Sequence, residues 1–189
     1  MNIGEILGRM AKIQESIFGP ALPKKSITYG SRIAIRASNG KYVQVNHHQA
    51  ARIMALASNV QEWEIFEIVA AHDPFSYKQK TIRYGDQIAL RAISNKTFVR
   101  NIVEQDPTEL GALAPLVKET ETFKLVAAPS MRATAARKDV DYGQPFVLQT
   151  AQGDYITCDH AADGRLRAKR SAAIGDTETF FFIHPDLPR

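Results

Sequence analysis

Ile27-Thr28-Tyr29-Gly30, Ile82-Arg83-Tyr84-Gly85 and Val140-Asp141-Tyr142-Gly143 repeat one pattern, an aliphatic residue, a spacer and then Tyr-Gly, at steps of 55 and 58 residues. The segment after each Tyr-Gly alternates in polarity. Ile33 and Ile35 correspond to Ile88 and Leu90 and to Phe146 and Leu148, with Arg36, Arg91 and Gln149 next. An apolar period of two marks a half-buried strand. Each strand meets a turn signal, Asn39-Gly40, Ser94-Asn95 or Gln152-Gly153, and resumes with Tyr42-Val43, Phe98-Val99 or Tyr155-Ile156. Every copy is therefore predicted to hold a β-hairpin. The second copy has one extra residue in this turn, which predicts a longer loop or a bulge there.

The copies also end alike. Val60, Val117 and Ile174 fall six residues before Phe66, Phe123 and Phe180, and Glu64, Glu121 and Glu178 stand two before each Phe. Ile68, Leu125 and Phe182 complete that strand. Shorter apolar strands around Met54 to Leu56, Leu110 to Leu113 and Leu166 to Ala168 bring the expectation to about four strands per copy and about twelve in all. One such copy cannot bury its own apolar face, and closing three of them on each other removes sheet edges that would otherwise aggregate. A linear solenoid fits less well, because solenoid repeats are usually shorter and their end copies atypical. The predicted fold is all-β, a β-trefoil of three pseudo-repeats over 26–79, 80–137 and 138–189.

Tyr29 through Val43, with Ala55-Leu56-Ala57 and Glu64-Ile65-Phe66-Glu67-Ile68-Val69 at the end of the same copy, resembles a fascin-type β-trefoil repeat. The resemblance extends over all three copies and implies a six-stranded barrel capped by three hairpins. Fascins bundle actin with several trefoils in one chain. Bundling needs two filament sites held apart, so the resemblance implies actin binding only for a multivalent assembly. Domains of this fold also serve as lectins, inhibitors, growth factors and scaffolds, and fold alone does not choose among these.

Composition narrows the class. The 189 residues suffice for one domain plus an extension, and 44% hydrophobic with 23% charged residues is globular, excluding a disordered or fibrous chain. A single cysteine, Cys158, cannot form an internal disulfide or a thiolate-rich metal site. The N-terminus interleaves Glu5, Arg9, Lys12 and Glu15 with apolar positions, unlike a secretory signal or a membrane span. The expected location is cytoplasmic, or within a larger assembly or exported without a cleavable signal. With 24 basic and 20 acidic side chains, the net charge of +4 is too small an excess to announce nucleic acid.

Two patches are candidate binding sites on the trefoil. Gln61-Glu62-Trp63 has the Gln-x-Trp form of ricin-type sugar-binding repeats, making Trp63 a candidate glycan contact. Aligned on the core phenylalanines, however, its counterparts are Lys118-Glu119-Thr120 and Gly175-Asp176-Thr177, so the triplet occurs once and off register. The loop from His47 to Ala51 is a second candidate glycan surface. Arg165, Arg167, Lys169 and Arg170, alternating with Leu166 and Ala168, form a candidate patch for an acidic partner. The bland alternative is a solvated outer strand, and no aromatic stacking positions are interleaved to favour nucleic acid. Histidines 47, 48, 72, 160 and 184 show no metal-ligand spacing, and no nucleophile elbow or phosphate loop occurs. The expectation is no enzyme activity and no cofactor. Cys158-Asp159-His160 is the weak exception, since its thiol and imidazole meet only if the strand continues through both.

Residues 1–25 break the strand pattern. Ile3, Ile6, Met10, Ile13 and Ile17 step by three and four, with Leu7 and Phe18 widening the stripe. This predicts a short amphipathic α-helix. Gly19-Pro20 ends it and Pro23-Lys24-Lys25 links it onward. Gly4 and Gly8 each weaken such a helix by roughly 1 kcal/mol relative to Ala, so its apolar face needs cover. The cover could come from this trefoil, another copy or a different protein. The leading expectation is a partner protein docked on this helix, with the trefoil as a non-enzymatic binding or scaffold module. A carbohydrate-binding trefoil and an actin-binding protein are the alternatives.

Overall fold

The structure is a computed structural model describing residues 26–74, 79–101, 108–131, 138–158, 163–170 and 173–186. The predicted helix, with Ile3, Ile6, Leu7, Met10, Ile13, Ile17 and Phe18, lies outside the described residues, as does His160.

Among the described residues, twelve strands fall in the predicted repeat. Copy one supplies β1 (Arg32–Ala37), β2 (Tyr42–Asn46), β3 (Arg52–Ala57) and β4 (Ile65–Ala70). Copy two supplies β5 (Gln87–Ala92), β6 (Phe98–Asn101), β7 (Leu110–Ala114) and β8 (Phe123–Ala127). Copy three supplies β9 (Pro145–Thr150), β10 (Tyr155–Cys158), β11 (Leu166–Lys169) and β12 (Phe180–Ile183). Antiparallel pairing runs β1 to β4, β5, β8, β9 and β12, then back to β1, which closes a six-stranded barrel. The other strands pair within their copies as the hairpins β2–β3, β6–β7 and β10–β11. One end of the barrel is therefore capped by hairpins, as a β-trefoil requires.

The core uses one residue set three times. Ile35, Leu90 and Leu148 meet Val43, Val99 and Ile156, then Ile53, Leu110 and Leu166, and finally Phe66, Phe123 and Phe180. The void at their centre is about 10 Å³ and wholly apolar, near the lower limit for a single water of about 10–15 Å³. The barrel is filled and leaves no room for a ligand inside it.

The Tyr-Gly landmarks seal the end opposite the hairpins. Ile27 N–H donates to the Val140 carbonyl at 2.8 Å, Ile82 N–H to Ile27 at 2.9 Å, and Val140 N–H to Ile82 at 2.9 Å, a closed triangle of backbone bonds on the pseudo-threefold axis. Around it the tyrosines pass from copy to copy. Tyr29 Oη donates to Asp86 Oδ2 at 3.0 Å. Tyr84 Oη lies 3.2 Å from the Pro145 carbonyl oxygen and 3.5 Å from Gln144 Oε1, and the Tyr142 hydroxyl interacts with Ser31. Ser31, Asp86 and Gln144 hold the same place after Tyr-Gly, and each also accepts a backbone N–H of its own turn, from Thr28, Arg83 and Asp141. Between them Gly30, Gly85 and Gly143 take φ of 84°, 98° and 79°, open to glycine at no steric cost.

The recurrent spacing of glutamate before phenylalanine has an equally local cause. Glu64, Glu121 and Glu178 are buried and accept the N–H of Gln61, Lys118 and Gly175 at 2.7, 2.8 and 2.8 Å. Each carboxylate closes the 3₁₀ turn that leads into the last strand of its copy, a charge-assisted bond of the kind found at N-caps.

Candidate functional site

Two places depart from the threefold pattern, and both involve residues that the sequence singles out. The first surrounds Trp63, on the 3₁₀ turn Glu62–Glu64 between β3 and β4. The residue is 37% exposed, an open position for the chain's single tryptophan. The loop between β2 and β3 folds against it. His47 meets the indole with ring centroids 5.0 Å apart at 72°, and His48 at 5.6 Å and 66°, both edge-to-face arrangements. The loop is pinned at both ends. Asn46 Oδ1 accepts the His48 N–H at 3.1 Å, and Ala50 and Ala51 turn the chain with φ of 51° and 54°. Left-handed backbone at two successive alanines costs roughly 1–2 kcal/mol per residue, which the loop's contacts must offset. His47 Nε2 lies 2.9 Å from Ser94 Oγ, in the turn between β5 and β6. The two glycan candidates, Trp63 and the His47 to Ala51 loop, thus form one surface.

The second place is on the threefold axis in the hairpin cap. Val43 pairs with Ala55, Val99 with Ala112 and Ile156 with Ala168, so Arg52, Glu109 and Arg165, three residues before those alanines, are equivalent. Met54, Gly111 and Arg167 form the next equivalent set. Glu109 is only 3% exposed. Its Oε1 accepts Arg165 Nη1 at 2.7 Å and Arg167 Nη2 at 3.2 Å, and its Oε2 lies 2.8 Å from Arg52 Nε, an ion pair without hydrogen-bond alignment. Arg165 Nε also reaches Asp163 Oδ2 at 2.5 Å. Burial alone would raise the Glu109 pKa, but the hydrogen bond and charge of Arg165, the charge of Arg52 and the hydrogen bond of Arg167 prevail and hold it below the ordinary carboxylate value.

The basic stripe is therefore divided. Leu166 and Ala168 are buried and the arginines alternate with them, but Arg165 and Arg167 are turned onto Glu109, whereas Lys169 and Arg170 are exposed. Sequence reasoning missed Glu109. The signal lay in hairpin register, which places a lone acid at the position that two arginines occupy in the other copies. Cys158 is fully buried at the end of β10. Among the described residues no group of three or more His, Cys, Asp or Glu side chains is placed to hold a metal ion. No helix among them is long and apolar enough to cross a membrane.

No protein-family model matches the chain. No curated protein matches it in sequence. Solved structures do match in fold. The SDF2-like protein of Arabidopsis thaliana superposes with a TM-score of 0.68 at 12% identity, covering 84% of this chain and 95% of that one. A protein described as the BEL β-trefoil gives 0.58 at 11%, covering 84% and 95%. The Polyporus squamosus lectin, bound in its crystal to a human-type influenza-binding epitope, gives 0.58 at 8%, covering 83% of this chain and 50% of its own. At such identities the likeness carries the fold alone, and the chain is a β-trefoil.

Proposed function

We propose that this chain is a non-enzymatic binding module, a fascin-like trefoil held in a larger protein assembly, or oligomerised, through the apolar stripe of residues 1–18. The observation that supports this is the completeness of the trefoil. The barrel closes on itself, the Ile27–Ile82–Val140 triangle seals one end, and a void of about 10 Å³ leaves its core no room for that stripe. The stripe must then be covered from outside the core. Sedimentation of the intact chain and of one lacking residues 1–22 tests it. An oligomer or a stoichiometric complex formed by the intact chain alone supports the reading. A large loss of trefoil stability on deletion means that the stripe packs on its own domain, and ends it.

Carbohydrate binding by the trefoil surface is the second reading, favoured by the exposed aromatic cluster at Trp63. An acidic protein partner at the cap would engage chiefly Lys169 and Arg170, because Arg165 and Arg167 already face Glu109. Such binding would fall steeply with salt. Actin bundling requires the oligomer to come first, and cosedimentation of that oligomer with filaments tests it.

A further inference from the structure

Three departures from the threefold pattern converge on one point of the surface. Position 63 is the first. Its equivalents, Thr120 and Thr177, use their hydroxyls locally, donating to the second oxygen of the neighbouring buried glutamate, Thr120 Oγ1 to Glu121 Oε1 at 2.8 Å and Thr177 Oγ1 to Glu178 Oε1 at 2.9 Å. An indole has no hydroxyl to give Glu64. Copy one thus forgoes a turn-stabilising bond and sets a large, partly exposed aromatic ring in its place.

The adjacent histidines are the second departure, since neither other copy has a pair in the corresponding loop. The third is the one-residue insertion in the second copy. Asn39 and Asn95 occupy equivalent turn positions, their amides donating to the carbonyls of Ala55 and Ala112. The extra residue therefore falls between Ala92 and Asn95, in the segment that carries Ser94. That segment reaches out of its own copy to hold His47.

A position that gives up a structural bond for exposure, beside a loop with two left-handed alanines, is not explained by folding. Strain of this kind is retained where the rest of the structure fixes it, commonly at ligand sites. The groups assembled suit one ligand class. Indole and imidazole offer apolar ring surface, while the Trp63 Nε1–H and the His48 ring nitrogens have no hydrogen-bond partner among the described residues. The four side chains provide no fixed charge. Apolar surface ringed by a few donors and acceptors complements a pyranose, whose C–H face lies on an aromatic ring while its hydroxyls bond around the rim.

We infer that Trp63, His47, His48 and Ser94 form a binding site for a neutral saccharide, with Trp63 as the platform, His48 as the hydrogen-bonding group and Ser94 as the residue that positions His47. This rests on the carbohydrate reading of the trefoil surface and is independent of the N-terminal stripe.

The site carries its own reporter, because Trp63 is the only tryptophan. The intact chain is applied to a glycan array, and its emission is titrated with methyl glycosides of neutral hexoses and with the array's best ligand. A neutral saccharide should be retained on the array and shift the emission saturably. Trp63→Thr, which installs the residue used by the other copies and so preserves the fold, should abolish retention. His48→Ala should weaken affinity about tenfold, the loss of one good hydrogen bond. Retention that survives Trp63→Thr overturns the site while leaving the carbohydrate reading standing. A blank array with folded protein overturns both, as does Zn²⁺ quenching the emission where no sugar binds. Sedimentation of Trp63→Thr should match that of the parent chain, so failure here is separable from failure of the assembly role.

Discussion

At the Tyr-Gly end of the barrel equivalent residues make the same bonds three times, whereas at the hairpin end equivalent positions hold Arg52, Glu109 and Arg165 and do different work. The first end is a backbone ring. It needs only an aliphatic residue, a tyrosine, a glycine and a polar side chain from each copy, so repetition suffices. At the second end side chains meet on the axis itself, where three identical charges would repel and three identical acids would be equally costly to bury. Charged residues that meet there cannot be alike in all three copies. One glutamate among arginines is how this chain does so.

The asymmetric end should fail most severely in Glu109→Ala. This change leaves Arg52, Arg165 and Arg167 crowded without their buried counter-charge, and truncating one partner of such a network costs about 3–5 kcal/mol. Urea denaturation measures this, and a loss under about 1 kcal/mol would mean that the arginines rehydrate and the cluster is not structural.

Titration separates the two ends, because each fails at its own extreme of pH. The Glu109 pKa is lowered in the folded state, so its stabilisation is complete above the ordinary carboxylate range and is lost as pH falls through the depressed value. The Tyr84 pKa is pushed up to about 12, by burial first and by the charge of Asp141 second. Above the ordinary tyrosine value near 10 the unfolded chain gives up this proton first. Stability should therefore fall as pH rises from about 10 toward 12. Thermal melts should show the acid slope diminish in Glu109→Gln and the alkaline slope diminish in Tyr84→Phe.

Smaller effects are expected in the ring and the turns. Tyr29→Phe removes the bond to Asp86 and should cost about 1 kcal/mol, well below the Glu109 effect, because two equivalent links and the backbone triangle remain. Lys96→Gly should stabilise by up to about 1 kcal/mol. Lys96 has φ 62°, where the matching turns have Gly40 at 79° and Gly153 at 89°, and glycine pays no steric penalty in that region. Chemical denaturation of both variants places them on one scale.

Much of the architecture is legible in residue order. The Tyr-Gly spacing, the alternation through Ile33 and Ile35, and the triplet Phe66, Phe123 and Phe180 lead to three copies of four strands, and the described residues contain those strands. The extra residue of the second turn is equally plain, and it enlarges the loop without a bulge in β5. Less is legible of the glutamates before each phenylalanine, which are landmarks without a role in the sequence. Their partners are backbone N–H groups three residues earlier, and such groups leave no trace in residue type. The basic stripe, read from β11 alone, points wholly outward, yet half of it engages an acid that immediately precedes the facing strand, β7.

Residue order alone settles what repeats: strand period, turn chemistry, core aliphatics and the number of copies, because each depends on neighbours a few positions apart. Which side chains meet is settled in three dimensions. Folding brings His47 and His48 to Trp63 and Ser94 to His47, from two copies and three loops, and Arg52, Arg165 and Arg167 to Glu109, from all three copies. Those encounters depend on strand register and on barrel closure, which place residues about 57 positions apart, such as Arg52 and Glu109, side by side on an axis that no single copy contains.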